Sequence, residues 1–146
     1  MNVIVVGVDG SPDSLAALRY ALSEAQKDDA TVRLVNAWHV PAFAYQAPVA
    51  PDTLSNDGRE AGLATLEETL AAAEDVVDGV HVQLVVREGE PGHVLVREAD
   101  GAELLVLGTH GRGSIGELVL GSVSHYCCRH ARCPVTVIPH DRPRTG

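Results

Sequence analysis

Five short runs of aliphatic and β-branched residues alternate with segments in which apolar residues recur every three or four positions. The first run, residues 3–8, is continuously apolar, which is typical of a strand buried on both faces of a parallel sheet. The other runs predict four further strands, at residues 31 to about 38, 80–87, 103–107 and 134–138.

Four helices are predicted between these strands. Ser11 is a suitable N-cap and Pro12 fits the first helical position, so the first helix is expected to begin there. Helical spacing of leucine and alanine predicts the second helix from residue 59 to about 75. Pro91 opens a short third helix, and the last helix is predicted at residues 122–130.

The segment between the second strand and the second helix is predicted to be a loop. Pro41, Pro48 and Pro51 are expected to prevent regular structure until about Gly58. Elsewhere strands and helices alternate, which favours an α/β fold with one open five-stranded parallel sheet, doubly wound. A chain of 146 residues is expected to form a single domain, residues 1–146.

The charge balance narrows the classes of partner. The chain carries 20 acidic residues against 11 basic ones, a balance that repels a phosphate backbone, so no nucleic-acid partner is expected. No basic region precedes the first apolar run, and no apolar stretch approaches the roughly 18 residues of a membrane span. A cytoplasmic protein without a membrane partner is therefore expected.

Three cysteines, Cys127, Cys128 and Cys133, lie close together near two histidines. An odd number in one short stretch is a poor disulfide framework and suits a reducing compartment. Cysteine and histidine are zinc ligands, but adjacent helical cysteines point about 100° apart and no Cys-x-x-Cys pair occurs. We therefore expect buried, small apolar cysteines and no structural zinc.

Candidate chemistry lies in two loops that follow predicted strands. The first is Asp9-Gly10-Ser11, and the second runs from Gly108 through residue 116 to Gly121-Ser122-Val123-Ser124. In parallel sheets the strands' carboxyl ends meet at one edge, where ligands bind. Glycine lets several N–H groups turn toward one anion, and a helix N-terminus adds about half a positive charge. The composition fits either a phosphate cradle or a mobile loop, and the flanking buried strand and helix favour the cradle.

Several nucleotide and hydrolase motifs are excluded. The only lysine is Lys27, inside the first helix, so no P-loop is present. Residues 111–116 match Gly-x-Gly-x-x-Gly, but the helix begins too late for a dinucleotide fingerprint and no acidic strand end follows about 20 residues on. No Gly-x-Ser-x-Gly elbow occurs, which argues against a serine hydrolase.

The spacing Gly108-x2-Gly111-x9-Gly121-Ser122 resembles the nucleotide-binding signature of the ATP-binding universal stress proteins. Residues 6–11, Val-Gly-Val-Asp-Gly-Ser, and residues 133–138, Cys-Pro-Val-Thr-Val-Ile, look like that family's first and last strands. The resemblance covers nearly the whole chain. It implies a Rossmann-like fold of the adenine nucleotide alpha hydrolase-like type, with ATP and Mg²⁺ as cofactors.

The resemblance also implies roles for individual residues. Asp9 would contact the ribose or its metal, and the backbone around Ala37 would meet the adenine edge. The phosphates would be held by Gly108, Gly111, Gly121, Ser122 and Ser124. The other residues predicted to bind the nucleotide are Gly10, Ser11, Thr109, His110, Arg112, Gly113 and Val123. Two alternatives remain open. In the first, Asp9 only stabilises a turn, and in the second, the side chains of His110 and Arg112 point to solvent.

The function expected from these features is a nucleotide-dependent stress-response and signalling module. Hydrolysis is expected to be slow or absent, because fast phosphoryl transfer needs a charge clamp and a positioned base. The alternatives are a weak ATPase or nucleotide-dependent transferase on the same fold, and a nucleotide-free interaction protein. A homodimer is expected through the strand at 134–138, which would otherwise leave an open sheet edge.

Overall fold

The computed structural model describes residues 2–39, 51–109 and 120–139. Five strands form one sheet, in which every neighbouring pair is parallel and the order is β3-β2-β1-β4-β5. The strands are β1 (Val3–Gly7), β2 (Thr31–Trp38), β3 (Val82–Glu88), β4 (Leu104–Gly108) and β5 (Val135–Ile138). The predicted five-stranded open parallel sheet is confirmed.

Four α-helices cover the two faces of this sheet. They are α1 (Pro12–Asp28), α2 (Pro51–Ala72), α3 (Pro91–Glu98) and α4 (Ser122–His130), and a short 3₁₀ turn, Glu74–Val76, follows α2. Residues of α1 and α2 share one buried cluster, and residues of α3 and α4 share the other. The sheet is therefore doubly wound, as predicted.

The strand β1 shows why its sequence lacks polar positions. Ile4 and Val6 pack into the cluster that contains α1 and α2, whereas Val5 packs into the cluster that contains α3 and α4. None of these three residues is more than 1% exposed. Successive side chains of a strand point to opposite faces, so a strand covered on both sides needs apolar residues throughout.

The start of α2 was predicted wrongly. The helix begins at Pro51, eight positions before the predicted residue 59, and it ends at Ala72. Proline is tolerated at the first position of a helix, where the absent N–H has no helical partner, so Pro51 starts this helix rather than interrupting it. Gly58 lies inside the helix, where an added Cβ would overlap the ring of Trp38. Residues 40–50 of the predicted loop lie outside the described residues.

The other elements lie within two residues of their predicted positions. In α1 the hydroxyl oxygen of Ser11 accepts a hydrogen bond from the Ser14 N–H at 3.1 Å, so Ser11 is the predicted N-cap. The strand β3 begins at Val82 instead of residue 80, and β4 is shifted by one residue to Leu104–Gly108. Among the described residues, none of the helices is both long and apolar enough to cross a membrane.

Candidate functional site

A cleft of about 550 Å³, including its open mouth, lies at the carboxyl ends of β1, β2 and β4. After β1 the chain continues to β2 on one side, while β4 pairs with β1 on the other, so the strand order reverses here. Crevices at such reversals are the ligand sites of open parallel sheets. The described residues that line the cleft are Gly7, Val8, Asp9, Ser11, Ser14, Val35, Ala37, Pro91, Leu95, Leu107, Gly108, Val123 and Ser124.

Asp9 occupies the polar end of the cleft, on the turn between β1 and α1. Its Oδ1 accepts a hydrogen bond from the Ser11 N–H at 2.9 Å, so the carboxylate does stabilise the turn. Gly10 has a φ of +87°, a left-handed conformation that glycine adopts without steric cost. Asp9 thus serves the local fold and also lines the cleft. Among the described lining residues, it is the only one with an ionisable side chain.

The start of α4 forms the wall opposite α1. Gly121 is its N-cap, with an ordinary φ of −65°, and within the described part of the chain no side chain caps this helix. The backbone N–H groups of the first turn therefore lack the side-chain acceptor that α1 receives from Ser11. Because Val123 and Ser124 of this turn line the cleft, a helix N-terminus suited to an anion lies at its wall.

The hydroxyl of Ser124 is engaged by the protein itself. It donates a hydrogen bond to the carbonyl oxygen of Gly108 at 2.5 Å, and Ser124 is only 4% exposed. This bond joins the end of β4 to the first turn of α4. If this hydroxyl donated to a phosphate, as the sequence predicts, its bond to Gly108 would have to break. The backbone N–H of Ser124 takes no part in that bond.

Thr109 connects four elements behind the cleft. Its hydroxyl donates to Oδ2 of Asp13 in α1 at 2.6 Å, and its carbonyl accepts from the Gly121 N–H at 2.7 Å. Its own N–H donates to the carbonyl oxygen of Ile138 in β5 at 3.1 Å. Asp13 is 4% exposed, so it is a buried carboxylate. The sequence reasoning missed Asp13, although an acidic residue in the first turn of a helix at this edge was a visible signal.

Another part of the cleft lining is apolar. Ala37, predicted from the family resemblance, lines it on β2 together with Val35, and Leu107 contributes from β4. Pro91 and Leu95 complete it from the first turns of α3. Apart from Ala37 these residues were missed, because in the sequence they are indistinguishable from core residues. An apolar end beside a polar end suits a ligand with one flat apolar part and one charged part.

The predicted site residues separate into three groups. Six of them line the cleft: Asp9, Ser11, Ala37, Gly108, Val123 and Ser124. Four lie beside it in the chain without lining it: Gly10, Thr109, Gly121 and Ser122. The other four, His110, Gly111, Arg112 and Gly113, lie outside the described residues. The described part of the site therefore contains the two ends of the glycine-rich segment and not its middle.

The three cysteines differ in environment. Cys127 is buried, and its removal from water raises the pKa of its thiol to about 12. Cys128 is exposed and Cys133 is partly buried, so the prediction of buried cysteines is correct for Cys127 and wrong for Cys128. Over residues 2–39, 51–109 and 120–139, no group of three or more potential ligands could hold a metal ion.

Comparison with known proteins gives consistent similarities. Residues 1–139 match the model of the Universal stress protein family. A universal stress protein of Mycolicibacterium smegmatis is 33% identical over 145 residues, which are 97% of this chain and 46% of that relative. The chain thus spans about half the length of the first curated relatives that it matches.

Two solved structures resemble the chain along most of their length. A universal stress protein in complex with cAMP is 27% identical, with a TM-score of 0.69 over 96% of this chain and 98% of that one. A universal stress protein from Archaeoglobus fulgidus in complex with dAMP is 26% identical, with a TM-score of 0.62 over 94% of this chain and 98% of that one.

Proposed function

Because the chain belongs to the universal stress protein family, we propose that it binds ATP in this cleft and acts as a nucleotide-dependent stress-response module in the cytoplasm. One observation carries the proposal: a single cleft combines apolar lining residues, such as Ala37 and Leu95, with polar groups at Asp9 and the first turn of α4. An adenine nucleotide has the same division between an aromatic base and charged phosphates.

The base would occupy the apolar end. Val35, Ala37 and Leu107 provide a wall of small and aliphatic side chains, and the start of α3 covers it. Pro91 and Leu95 are the α3 residues in contact with this space. Burial of a base there contributes through apolar area removed from water, at about 25 cal/mol per Å². Relatives in complex with cAMP and dAMP support an adenine base as the occupant.

The phosphates would lie against the first turn of α4. The N–H groups of this turn, at Ser122, Val123 and Ser124, have no capping side chain in the described part of the chain. An anion at this position gains hydrogen bonds and the favourable end of the helix dipole. The sequence adds Arg112 and His110 to the same glycine-rich segment, and these are the basic side chains that we propose for the phosphate charge.

Mg²⁺ fits this site as a partner of the nucleotide. Asp9 offers a carboxylate at the polar end, and magnesium is typically held by one or two carboxylates together with substrate phosphates and water. No other described residue of the lining has a carboxylate, so we propose that the cation binds with ATP rather than ahead of it. When bound, it would neutralise part of the phosphate charge.

We further propose that hydrolysis is slow or absent. Fast phosphoryl transfer needs a clamp of positive charge and a base aimed at the attacking group. Lys27, the single lysine, lies near the far end of α1, 71% exposed and paired with Glu24. Asp9 is the one ionisable side chain of the described lining, and its Oδ1 accepts the Ser11 N–H. A binding module accounts for these features better than an efficient ATPase.

The proposed assembly is a homodimer through β5. This strand is an edge of the sheet, pairing with β4 on one side, and its four residues are all partly exposed. An edge strand presents unpaired backbone groups that a second copy can satisfy. Signalling partners would then meet a surface built by two copies.

Thermal unfolding with a panel of nucleotides tests the proposed function. A ligand at 100 times its Kd stabilises the folded state by about 2.7 kcal/mol, which raises the Tm. We expect ATP with Mg²⁺ to give such an increase, and GTP and CTP at equal concentration to give much less. If no adenine nucleotide at millimolar concentration changes the Tm, the proposal is wrong. Phosphate release at more than about 1 s⁻¹, within the ordinary range for enzymes, would instead identify an ATPase.

A further inference from the structure

We propose that Asp13 and Thr109 form a positioning pair, which holds the end of β4 and the start of α4 against the first turn of α1. This inference rests on the proposed function, because its purpose is to preorganise the backbone that binds nucleotide. The juxtaposition is independent of that function: the two side chains come from positions 96 residues apart and meet at 2.6 Å, from Oγ1 of Thr109 to Oδ2 of Asp13.

Asp13 is buried and Thr109 is partly buried. Asp13 is 4% exposed although it is a carboxylate, and such groups are rarely buried without partners. The position of Asp13 in the first turn of α1 also favours its negative charge. The side chain of Asp13 is therefore a fixed acceptor for the Thr109 hydroxyl.

Capping of α1 does not account for Asp13. The N-cap of this helix is Ser11, whose hydroxyl oxygen accepts the Ser14 N–H. Asp13 instead reaches from α1 to the residue after β4. Its contact with Thr109 joins two elements distant in the chain, which a capping interaction does not do.

Thr109 also holds the start of α4. Its carbonyl accepts the N–H of Gly121, the N-cap of α4, at 2.7 Å. Its N–H is bound to Ile138 of β5, so the main chain of Thr109 is held on both sides. The neighbouring bond from Ser124 to the Gly108 carbonyl supports the same junction. Thr109 and Gly121 are thus fixed to each other, and Thr109 is fixed to α1.

Preorganisation is the expected consequence for binding. A helix N-terminus that is already fixed beside the cleft loses less conformational entropy when it binds a ligand. Without the Thr109 hydroxyl, Asp13 would lose the free energy of a hydrogen bond at a buried position. If most of that free energy is expressed in binding, the affinity for ATP falls by about tenfold or more.

Three variants test the pair. Thr109→Val keeps the shape of the side chain and removes the hydroxyl, Thr109→Ser restores the hydroxyl, and Asp13→Asn keeps an acceptor but removes the charge. The matched control is Thr69→Val in α2, because the buried hydroxyl of Thr69 donates to the carbonyl of Thr65 within its own helix. The two readouts are the Kd for ATP and the hydrogen-exchange rate of the Gly121 amide measured without nucleotide.

We expect Thr109→Val to weaken ATP binding by about tenfold and to accelerate exchange at Gly121 by a similar factor. Thr109→Ser and Thr69→Val should remain within about threefold of the wild type in both readouts, with Asp13→Asn intermediate. The effect of Asp13→Asn should be smaller in the Thr109→Val background than in the wild type, because coupled residues are not additive.

The pair is refuted if Gly121 exchange in Thr109→Val matches that of the control, or if the two substitutions are additive. If Thr109→Val does not fold, Asp13→Asn and Thr109→Ser provide the test instead. The pair predicts faster Gly121 exchange in Asp13→Asn than in Thr109→Ser, and a wild-type exchange rate in Asp13→Asn would refute it. If the wild type binds no adenine nucleotide, the proposed function fails. The exchange rate of the Gly121 amide then still shows whether the pair fixes the start of α4.

Discussion

Gly108 and Asp13 lie so close together that no side chain fits between them. A Cβ built on Gly108 would lie 2.5 Å from the Cβ of Asp13 and 2.7 Å from its carbonyl carbon. The family resemblance implies a role in phosphate binding for this glycine. The structure adds a second requirement, because α1 packs directly against the end of β4 at this residue.

Gly108→Ala should therefore destabilise the fold. Because the obstructing atoms belong to the backbone and Cβ of Asp13, relief requires α1 to move, and overpacking of this kind costs about 1–3 kcal/mol. Gly7→Ala is the matched control, since its Cβ would meet only the flexible ends of Leu107 and Leu95 at 2.9 Å. Urea unfolding should show a clearly larger loss for Gly108→Ala. Equal losses for the two variants would contradict this packing account.

Ser11→Ala should cost about 1 kcal/mol, because it removes the cap that accepts the Ser14 N–H. Ser122→Ala is the matched control at the other helix N-terminus, where Ser122 is exposed and Gly121 is the N-cap. We expect the control to change the free energy of unfolding by less than about 0.5 kcal/mol. Chemical denaturation measures both differences, and a larger effect of Ser122→Ala would show that the assignment of the two caps is wrong.

Local rules predicted most of the fold. The apolar run of β1 and the Ser11-Pro12 start of α1 carry their signals in a few adjacent residues, and these elements lie where expected. Pro51 was misread because the same residue disrupts a helix interior and favours a helix start, and sequence spacing does not distinguish the two. Trp38 of β2 packs against Gly58 of α2. This tertiary contact cannot be predicted from the spacing of neighbouring residues.

The candidate site was predictable only in part. Asp9 and Gly108 follow apolar runs in loops, so their place at the sheet edge follows from strand direction alone. Ala37 came from the family resemblance, since one alanine in a strand carries no chemical signal. Asp13 and Leu95 were missed, because their roles arise from contacts between elements far apart in the chain.

The cysteines should react with a thiol reagent in the order of their exposure. Cys128 is exposed and should be modified first, whereas Cys127 is buried with a thiol pKa raised to about 12 and should react only on unfolding. Time-resolved labelling of the native protein at pH 8, read by peptide mass spectrometry, gives the order. Rapid modification of Cys127 without unfolding would contradict its buried environment.

The raised pKa of the Cys127 thiol also predicts that the stability of the fold depends on pH. The Cys127 thiol has an ordinary pKa of 9.0 in the unfolded chain and about 12 in the folded one, so the folded state retains the proton more strongly. The resulting stability is fully present below pH 9 and is lost as the pH rises from 9 to 12. Cys127→Ala should reduce the loss of stability in that interval, as measured by unfolding at a series of pH values. An unchanged slope would show that this thiol does not contribute.

The proposed dimer should appear as twice the mass of the 15.4 kDa chain in light scattering at micromolar concentration. Thr136→Lys places a charge on the edge strand β5, which opposes pairing with a second copy, and should yield a folded monomer. The matched control is Thr31→Lys at the start of β2, a buried position whose substitution should reduce stability without selecting the monomer. A wild type that is already monomeric would remove the proposed assembly.

Calorimetric titration of ATP with Mg²⁺ tests the central claim most directly when it compares two equal substitutions. Ala37→Phe fills the apolar end of the cleft, whereas Ala64→Phe adds the same side chain to an exposed position of α2. We predict that the wild type and Ala64→Phe bind ATP with the same Kd, and that Ala37→Phe stays folded but loses at least tenfold in affinity. If Ala37→Phe binds ATP as tightly as Ala64→Phe, the nucleotide does not occupy this cleft and the account is wrong.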